Sequence, residues 1–364
     1  SNIIEAPKPT TDYIRLGIRS HCKGTFHELV KIENILSADK MYIVPKNNLI
    51  LNITFAWEQA IAITDDNDEG KYISNRFPTF AFKDNQLPTF YKYIIPQKRL
   101  KYDLNVASPG GAGRNRVLNK KLFLSIPVNI PLLKEQEKIA KFLTTVDKKI
   151  TNLENIITSL ENQKKGLLQQ IFSQKLRFKD KNGNNYPNWE KKKLEDISNI
   201  TMGQSPDSDF VNTEKIGTPF LQGNAEFTNK YPIEKYWCTK PQKIANPTDI
   251  LLSVRAPVGA INIANKKFCI GRGLSAISFN CNKLFGKYNL EFNLFQLIKK
   301  SQGSTFSSIN KKDISEVILF IPCLEEQTKI ADFLSAFDRK LDNQKAQLEH
   351  WQQIKKGLLQ QMFV

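Results

Sequence analysis

A stretch of 43 residues occurs twice in this chain of 364 residues and restricts its fold more than any other feature. Residues 130–172 and 321–363 align without a gap at an offset of 191, and 21 of the 43 aligned positions are identical. An internal duplication of this kind predicts that the chain consists of two similar halves related by a pseudo-two-fold repeat.

Both copies carry the heptad pattern of a coiled coil. Apolar residues recur every three or four positions from Ile139 to Ile171, and the second copy keeps the register from Ile330 to Met362 apart from a polar residue at Gln344. A period of 3.5 residues is typical of helices that bury one stripe against another helix, so we predict two helices of about 40 residues and roughly 60 Å each. A lysine interrupts each seam at the equivalent position; these two lysines either extend to solvent or contact a partner helix. They are Lys164 and Lys355.

The order of the segments along the chain bears on how the helices pair. We expect globular segments at 1–129 and 174–320 and long helices at 130–173 and 321–364. The first helix leads from one globular segment to the other, and the second helix leads back. If the two seams bury each other, the helices are therefore antiparallel. The alternative is that each helix joins a separate bundle or another subunit.

Short β-rich runs between turn residues predict a mixed α/β (α+β) fold for both globular segments. The clearest helical stretch in them is 288–300, where apolar residues share one face. The predicted strands are 41–44, 49–55, 60–64 and 79–82 in the first segment, and 219–222, 249–254, 260–264 and 271–279 in the second.

The formal net charge of +17 lies mainly in the globular segments. Residues 1–129 carry +6 and residues 174–320 carry +9, whereas the two helices carry +2 and 0. A basic balance of this kind suits nucleic acid, an anionic membrane or an acidic protein as the partner. We therefore expect the globular segments to contact a polyanion and the helices to act as spacers.

Missing patterns exclude several classes of function. No apolar run approaches the roughly 20 residues of a membrane-spanning helix, and we expect no signal peptide. The five cysteines are scattered without a CxxC pair, which disfavours zinc and disulfides and indicates a reducing cytoplasm. Neither a phosphate-binding GxxxxGK[ST] loop nor an Asn/Asp-Pro-Pro-aromatic motif occurs, and there are only three histidines. We expect no cofactor, no metal and no catalytic residue.

The duplication extends upstream of the helices. The tripeptide Asn119-Lys120-Lys121 aligns with Asn310-Lys311-Lys312, and in both halves it follows a turn that contains glycine and precedes the strand that leads into the helix. Further upstream, residues 49–64 resemble residues 249–264 in pattern but scarcely in identity. Two domains that share a scaffold but carry different polar residues are suited to recognising two different target sequences.

Several separated motifs occur in the same order in both halves. They are ILLSVRAPVGAINIANKKFCIGRGLSAI (250–277), GSTFSSINKKDI (303–314), the helix pattern IPxLxEQxKIAxFLxxxDxK followed by KKGLLQQ, and in the first half GIRSHCKGTFHE (17–28), NITFAWEQAIAI (52–63) and GGAGRNRVLNKK (110–121). Together they resemble the specificity subunit of type I restriction–modification enzymes over nearly the whole chain. In one respect the chain departs from that family: members usually begin the first lobe with a segment like residues 186–206, whereas only about a dozen residues precede Tyr13 here.

The resemblance implies a specific function. Each globular segment becomes a target-recognition lobe that reads one half of a bipartite, asymmetric site in double-stranded DNA. The helices set the spacing and dock two methyltransferase subunits, which bind S-adenosylmethionine, and ATP-dependent restriction subunits join the complex for cleavage. The chain itself is then a non-catalytic specificity subunit in the cytoplasm.

We expect phosphate contacts from lysine and arginine and base contacts from arginine and the small polar side chains. The DNA-binding candidates in the first lobe are Arg15, Arg19, His21, Lys23, Arg76, Arg114, Asn115, Arg116 and Lys120. Those in the second lobe are Gln204, Ser205, Gln222, Asn224, Arg255, Arg272, Ser304, Thr305, Ser307, Lys311 and Lys312. Arg114 and Arg116 rank highest, because the three preceding glycines let the backbone approach a phosphate closely. The alternative for each lysine or arginine is an ordinary solvated side chain. We expect Trp57, Phe227 and Trp237 to serve in packing.

Two other functions remain open from the sequence. One is a stand-alone DNA-binding protein without enzyme partners. The other is a non-catalytic coiled-coil adaptor whose basic lobes bind acidic proteins, or bind DNA non-specifically. Salt dependence separates them, because a DNA reader loses affinity linearly in the logarithm of the salt concentration and still prefers one duplex among random ones.

Overall fold

The computed structural model describes residues 4–34, 40–110, 116–228, 231–302 and 308–363. The chain divides into two compact units. Unit 1 comprises residues 1–154 and 347–364, and unit 2 comprises residues 155–346. Each of the two long helices therefore contributes one part to each unit.

Nineteen strands and nine α-helices lie in the described residues. The strands are β1 (Ile4–Ala6), β2 (Tyr13–Ile18), β3 (Thr25–Val30), β4 (Met41–Ile43), β5 (Leu49–Leu51), β6 (Ile61–Ile63), β7 (Tyr72–Ser74), β8 (Thr79–Phe80), β9 (Glu190–Lys193), β10 (Ser198–Met202), β11 (Val211–Asn212), β12 (Thr218–Leu221), β13 (Tyr236–Cys238), β14 (Ile244–Ala245), β15 (Ile250–Ser253), β16 (Ile261–Ile263), β17 (Phe268–Ile270), β18 (Leu274–Phe279) and β19 (Ile318–Ile321). The helices are α1 (Pro88–Ile94), α2 (Lys98–Val106), α3 (Lys120–Leu124), α4 (Leu133–Phe172), α5 (Leu194–Ile197), α6 (Lys283–Asn293), α7 (Phe295–Gln302), α8 (Lys311–Ser315) and α9 (Leu324–Met362).

Unit 1 contains a five-stranded sheet of order β1-β4-β7-β2-β3 and a three-stranded sheet of order β6-β5-β8. All neighbouring strands are antiparallel except β2 and β7. β6 has the sequence Ile-Ala-Ile and is buried throughout, as expected for a short apolar run with both faces covered. Leu51, Ile61, Phe90 and Leu104 form the main core, which joins the small sheet to α1 and α2.

Unit 2 contains a four-stranded sheet of order β10-β18-β15-β16, a five-stranded sheet of order β11-β13-β12-β17-β14, and a two-stranded pair of β9 and β19. Its largest apolar cluster includes Phe172 at the end of α4, Leu252 of β15, Phe285 of α6 and Leu334 of α9. The helix ends are therefore part of the core and not appendages to it.

The helices pair antiparallel within unit 2. Glu161 of α4 forms an ion pair with Lys345 of α9 at 2.8 Å, and Lys164 forms one with Asp338 at 2.6 Å. The residue number rises along α4 while it falls along α9, which defines the antiparallel direction. The seam is formed by the predicted heptad residues, and Leu160 and Leu334 are at most 4% exposed.

Unit 1 shows the same direction of pairing. Asp147 of α4 forms an ion pair with Lys355 of α9 at 2.7 Å. Nearer the start of α4, Ile139 packs in the same apolar cluster as Phe363, the residue that follows α9. The prediction of two long, mutually paired helices in a mixed α/β protein is confirmed.

The seam lysines do not extend to solvent but contact the other helix. Each one pairs with the aspartate that the duplication places in the other copy, because Asp147 and Asp338 are equivalent at the offset of 191. A tyrosine hydroxyl completes each group: Tyr288 donates to Asp338 at 2.7 Å, and Tyr93 donates to Asp147 at 2.9 Å. Burial, with the neighbouring Asp147 carboxylate adding to it, raises the pKa of Tyr93 to about 12.

Three local features differ from the sequence-based expectation. The stretch predicted as one helix at 288–300 is two helices, α6 and α7, with the break at Leu294. The side chain of Gln296 in α7 binds both backbone groups of Ile318. The first globular segment also holds more helix than expected, in α1 and α2. Finally, Asn119 and Asn310 cap the short helices α3 and α8, and do not directly precede a strand.

Candidate nucleic-acid interface

Close backbone packing brings three loops of unit 2 together. A Cβ atom at Gly203 would lie 2.2 Å from the carbonyl oxygen of Gly271, and one at Gly273 would lie 2.6 Å from the carbonyl oxygen of Gln222. Only glycine allows an approach of this kind. The packing juxtaposes residues 203–205, which follow β10, with residues 222–224 after β12 and residues 271–273 between β17 and β18.

Five of the predicted DNA-binding residues of the second lobe lie on these loops. The Ser205 hydroxyl accepts a hydrogen bond from the Arg272 backbone N–H at 3.3 Å. Gln204, Gln222 and Arg272 are exposed, and Asn224 is half-buried. Among the described residues, no hydrogen bond or ion pair occupies the guanidinium group of Arg272.

Arg255 joins the same surface from the end of β15. The N–H of Val254 donates to the Gly273 carbonyl at 2.9 Å, and the Val254 carbonyl accepts from Ile309 at 2.9 Å. The exposed Arg255 follows directly and forms a β-bridge with Ser308. We call this group the unit-2 polar surface; it consists of Gln204, Ser205, Gln222, Asn224, Arg255 and Arg272.

Unit 1 repeats this backbone framework. The N–H of Ile53 donates to the Arg76 carbonyl at 3.1 Å, and the Ile53 carbonyl accepts from Leu118 at 2.9 Å. These are the two hydrogen bonds that Val254 makes in unit 2, so Arg76 occupies the place of Gly273. The side chain of Arg76 is exposed, and within the part of the chain that the structure describes its guanidinium group donates only to the Thr54 hydroxyl, at 3.5 Å.

The turn between β2 and β3 carries the next group of candidates. The N–H of His21 donates to the Glu58 carbonyl at 2.7 Å, and His21 adopts a left-handed backbone with φ of 62°. This contact docks the turn while the side chains of His21 and Lys23 stay exposed. Arg19 is occupied, because it donates to the Thr25 carbonyl and lies 5.1 Å from the centre of the Phe26 ring.

Two further arginines of unit 1 are held by protein groups. Arg15 forms an ion pair with Glu28, its neighbour across the β2–β3 ladder. Arg116 donates to the Ser108 carbonyl at 3.0 Å and to the Asn105 carbonyl at 2.9 Å. Its guanidinium group also lies 5.2 Å from the Trp57 ring. Among the predicted arginines that the structure describes, three are therefore held by protein groups. The other three have exposed side chains that can approach a partner, and they are Arg76, Arg255 and Arg272.

The remaining candidates are three lysines and five residues that lie outside the described part of the chain. Lys120, Lys311 and Lys312 are exposed at the first turns of α3 and α8. Lys312 approaches Glu316 at 4.0 Å. The candidates that lie outside the described residues are Arg114, Asn115, Ser304, Thr305 and Ser307.

Two residues that the sequence interpretation did not select belong to this part of unit 1. Asn75 is exposed and precedes Arg76, so it stands where Arg272 stands in unit 2. Phe55 is 46% exposed on the loop after β5. An alignment of residues 72–76 with 269–273 could have found Asn75, but nothing in the sequence distinguishes Phe55 from a core residue.

The three aromatic residues predicted to serve in packing are all in contact with protein. Trp237 is 7% exposed on β13, and Phe227 packs against the cluster around Leu221. Trp57 donates its indole N–H to the Thr54 carbonyl at 3.1 Å. No group of metal-ligating side chains occurs in the described part of the chain, and no helix described there has the length and apolar character needed to cross a bilayer.

These features define a class of protein with two related mixed α/β units, each presenting exposed polar loops on the same backbone framework. A family model described as the type I restriction modification DNA specificity domain matches residues 4–162 and again residues 186–350. The chain belongs to this family. The two matches agree with the predicted internal repeat.

Individual relatives support the assignment. A Methanocaldococcus jannaschii protein described as the MjaX type I restriction enzyme specificity subunit is 37% identical over 252 residues, which are 66% of this chain and 59% of that protein. The match thus spans less than two thirds of that relative. A solved structure, reported for the assembly and conformational transition of the type I R-M system, has a TM-score of 0.60 at 25% identity over 98% of this chain and 92% of that one.

A second solved structure shows the same fold at lower identity. The type I restriction–modification S subunit from M. genitalium superimposes with a TM-score of 0.63 at 14% identity, over 100% of this chain and 96% of that one. The resemblance drawn from the sequence motifs and the predicted fold class are confirmed.

Proposed function

We propose that this chain is the DNA-recognition subunit of a type I restriction–modification complex and that each unit reads one half of a bipartite, asymmetric site. The observation that carries the proposal is the repeated backbone framework around Ile53 and Val254, which bears different polar side chains in the two units. Equal frameworks hold the reading loops in equivalent positions, and unequal side chains select different base pairs. Family membership supports the same function.

The unit-2 polar surface supplies the chemistry for base recognition. An arginine such as Arg272 can donate two hydrogen bonds to O6 and N7 of guanine, and glutamine side chains such as Gln204 and Gln222 can pair with N6 and N7 of adenine. The exposed Lys311 and Lys312 supply contacts to phosphate, which add affinity without sequence preference. In unit 1 we assign base contacts to Asn75 and Arg76.

The candidates of unit 1 that are held by protein groups play a different part in this proposal. Arg15, Arg19 and Arg116 fix the turn and the loop that carry the reading residues. His21, Lys23 and Lys120 remain exposed and face DNA. Arg114, Asn115, Ser304, Thr305 and Ser307 keep their predicted role as DNA contacts in this proposal.

The proposal assigns no chemistry to the chain itself. Residues 1–129 and 174–320 are the target-recognition domains, and residues 130–173 and 321–364 are the spacer helices. Two methyltransferase subunits dock on the helices, bind S-adenosylmethionine and reach an adenine by base flipping. ATP-dependent restriction subunits join for cleavage, and the complex works in the cytoplasm.

Methylome sequencing tests this function directly. The chain is co-expressed with its partner subunits in a host without endogenous adenine methylation, and modified adenines are mapped. We expect one motif made of two defined half-sites separated by a fixed number of unread base pairs. Methylation without a split motif, or methylation independent of this chain, would exclude the proposal.

The alternative of a non-specific adaptor predicts another result. Purified chain is titrated with random duplexes and with the mapped motif at several salt concentrations. A DNA reader prefers the motif and loses affinity linearly in the logarithm of the salt concentration, with a slope that follows its phosphate contacts. Equal affinity for all duplexes would favour the adaptor.

A further inference from the structure

The loop between β5 and β6 of unit 1 presents an exposed phenyl ring among polar side chains; we call residues 52–60 the β5–β6 loop. Phe55 of this loop is 46% exposed. Its neighbour Thr54 accepts a hydrogen bond from the guanidinium group of Arg76 at 3.5 Å. A single exposed apolar side chain is common on protein surfaces. What distinguishes Phe55 is its position and the rigidity of its backbone.

The backbone of Phe55 is fixed on both sides. Its N–H donates to the Asn52 carbonyl at 3.1 Å, and its carbonyl accepts from the N–H groups of Glu58 at 3.0 Å and Ala60 at 3.1 Å. The Asn52 side chain also accepts from the Thr54 N–H at 3.0 Å. Phe55 can therefore meet a partner without first ordering its loop, which keeps the entropic cost of a contact low.

The turn between β2 and β3, which carries candidate DNA-binding residues, docks on the same loop. The N–H of Cys22 donates to the Gln59 carbonyl at 2.9 Å. The Ser20 hydroxyl donates to the Glu58 carboxylate at 2.8 Å. The exposed Lys23 belongs to this turn. The cationic groups of the turn and the phenyl ring therefore form parts of one surface.

Unit 2 carries a different side chain at the equivalent position. Since Ile53 and Val254 make the same two backbone hydrogen bonds, Phe55 corresponds to Ala256. Ala256 is also exposed, so the position faces solvent in both units while its side chain changes from a benzyl group to a methyl group. A change of side chain at a matched, exposed position is expected where two units recognise different sequences.

We propose that Phe55 is a specificity-determining residue of unit 1 and that its ring contacts the C5-methyl group of a thymine in the major groove. Thymine is the base that presents an apolar group there, and phenylalanine is one of the residues that pack on it. The neighbouring Asn75 and Arg76 can read hydrogen-bonding groups but not this methyl group. The role of Phe55 rests on the proposed function and adds one defined base to it.

The test uses the complex of this chain with its methyltransferase subunits and the duplex motif mapped by methylome sequencing. Each thymine of the motif is replaced in turn by deoxyuridine, which removes the methyl group and keeps every hydrogen-bonding group. In competition binding we expect the dissociation constant to rise about fourfold at one position of one half-site, as for the loss of one buried methyl group.

Variants of the chain assign this effect to Phe55. Phe55→Ala should bind the unmodified motif more weakly and should no longer distinguish thymine from deoxyuridine at that position. Phe55→Leu keeps an apolar side chain and should keep part of the preference. Leu29→Ala is the control and should keep the whole preference. Leu29 is 63% exposed on β3 and pairs with Ile14, at the end of the hairpin away from its turn.

Three results would overturn the proposal. The first is that no thymine of the motif responds to deoxyuridine. The second is a preference for thymine that survives Phe55→Ala, since another residue would then contact the methyl group. The third is a rise in the fluorescence of 2-aminopurine placed in the motif that depends on Phe55, since the ring would then be inserted between base pairs.

Failure of this role can be distinguished from failure of the proposed function in the same binding measurements. A complex that prefers no split motif contradicts both. A complex that prefers one split motif, but shows no thymine contact that depends on Phe55, contradicts only the role of Phe55.

Discussion

At the scale of single residues, what distinguishes the arginines is whether the protein already holds them. Arg116 binds two backbone carbonyls and stacks on Trp57, although the sequence ranked it among the first candidates. Arg272 has the opposite environment, with an exposed guanidinium group and no side-chain partner among the described residues. We therefore propose that Arg272 contacts a base and that Arg116 positions the loop that carries it.

Replacing Arg272 should change specificity more than overall affinity. Arg272→Ala should cost about 1–3 kcal/mol on the preferred duplex and relax the preference at one base pair, because a bidentate contact is lost. Competition binding against single-base variants of the motif measures this effect. Lys311→Ala should instead weaken binding to all duplexes and lower the salt slope by about 1. If Arg272→Ala weakened binding to all duplexes equally, the result would indicate that Arg272 contacts a phosphate and not a base.

The pKa of Tyr93 makes stability depend on alkaline pH. Since burial raises this pKa from the ordinary tyrosine value of 10.0 to about 12, the tyrosine contributes stability that is fully present below pH 10 and is lost as pH rises toward 12. Tyr93→Phe should reduce the fall in unfolding free energy between pH 9 and pH 11 by on the order of 1 kcal/mol. Urea unfolding at both pH values measures it. Tyr102→Phe, at a 66% exposed position, should leave the fall unchanged.

At the scale of elements, the long helices are attached to the globular parts by buried polar side chains. Gln136 near the start of α4 is fully buried; it accepts from the N–H of Leu87 at 2.9 Å and donates to the carbonyl of Asn85 at 3.0 Å. Gln327 of α9 repeats the arrangement with the N–H of Asn282 at 3.0 Å. The glutamine of the repeated Glu-Gln pair therefore attaches each long helix to the globular part of its unit.

Removing the attachment at Gln136 should destabilise unit 1. Gln136→Ala removes three hydrogen bonds of a fully buried side chain to backbone groups that are only partly buried, and we expect a loss of about 1–3 kcal/mol in unfolding free energy. Chemical denaturation of the full chain, followed by a probe in unit 1, measures the loss. Lys148→Ala on the exposed face of the same helix within unit 1 is the control and should change stability by less than about 0.5 kcal/mol. An equal loss of unfolding free energy in the two variants would contradict the role of Gln136 in attaching the helix.

At the scale of the whole molecule, both long helices pass from one unit into the other. The boundary between the units falls after residue 154 in α4 and after residue 346 in α9. A change of length at these two points alters the connection between the units and leaves the residues of each unit intact. The proposed spacer role can therefore be tested without touching the reading surfaces.

One heptad inserted at both boundary points should lengthen the unread spacer by roughly three base pairs, because seven helical residues rise about 10.5 Å. The half-site sequences should not change. Methylome sequencing of the variant complex gives both quantities at once. An insertion into α9 alone breaks the register of the seam and should abolish methylation. A changed half-site in the double insertion would contradict the spacer role.

The sequence by itself determined the long helices, the internal repeat and the family, because heptad spacing and separated motifs are local or periodic signals. It also placed Gln204, Gln222 and Arg272 among the candidates. Only the tertiary structure decided which arginines are free, since Asn105 and Ser108 hold Arg116 through contacts that no spacing predicts. It alone also showed that the Glu326 carboxylate is held by Arg177 and Trp189, which are 149 and 137 residues away along the chain. Long-range pairing depends on packing that forms only in the folded chain.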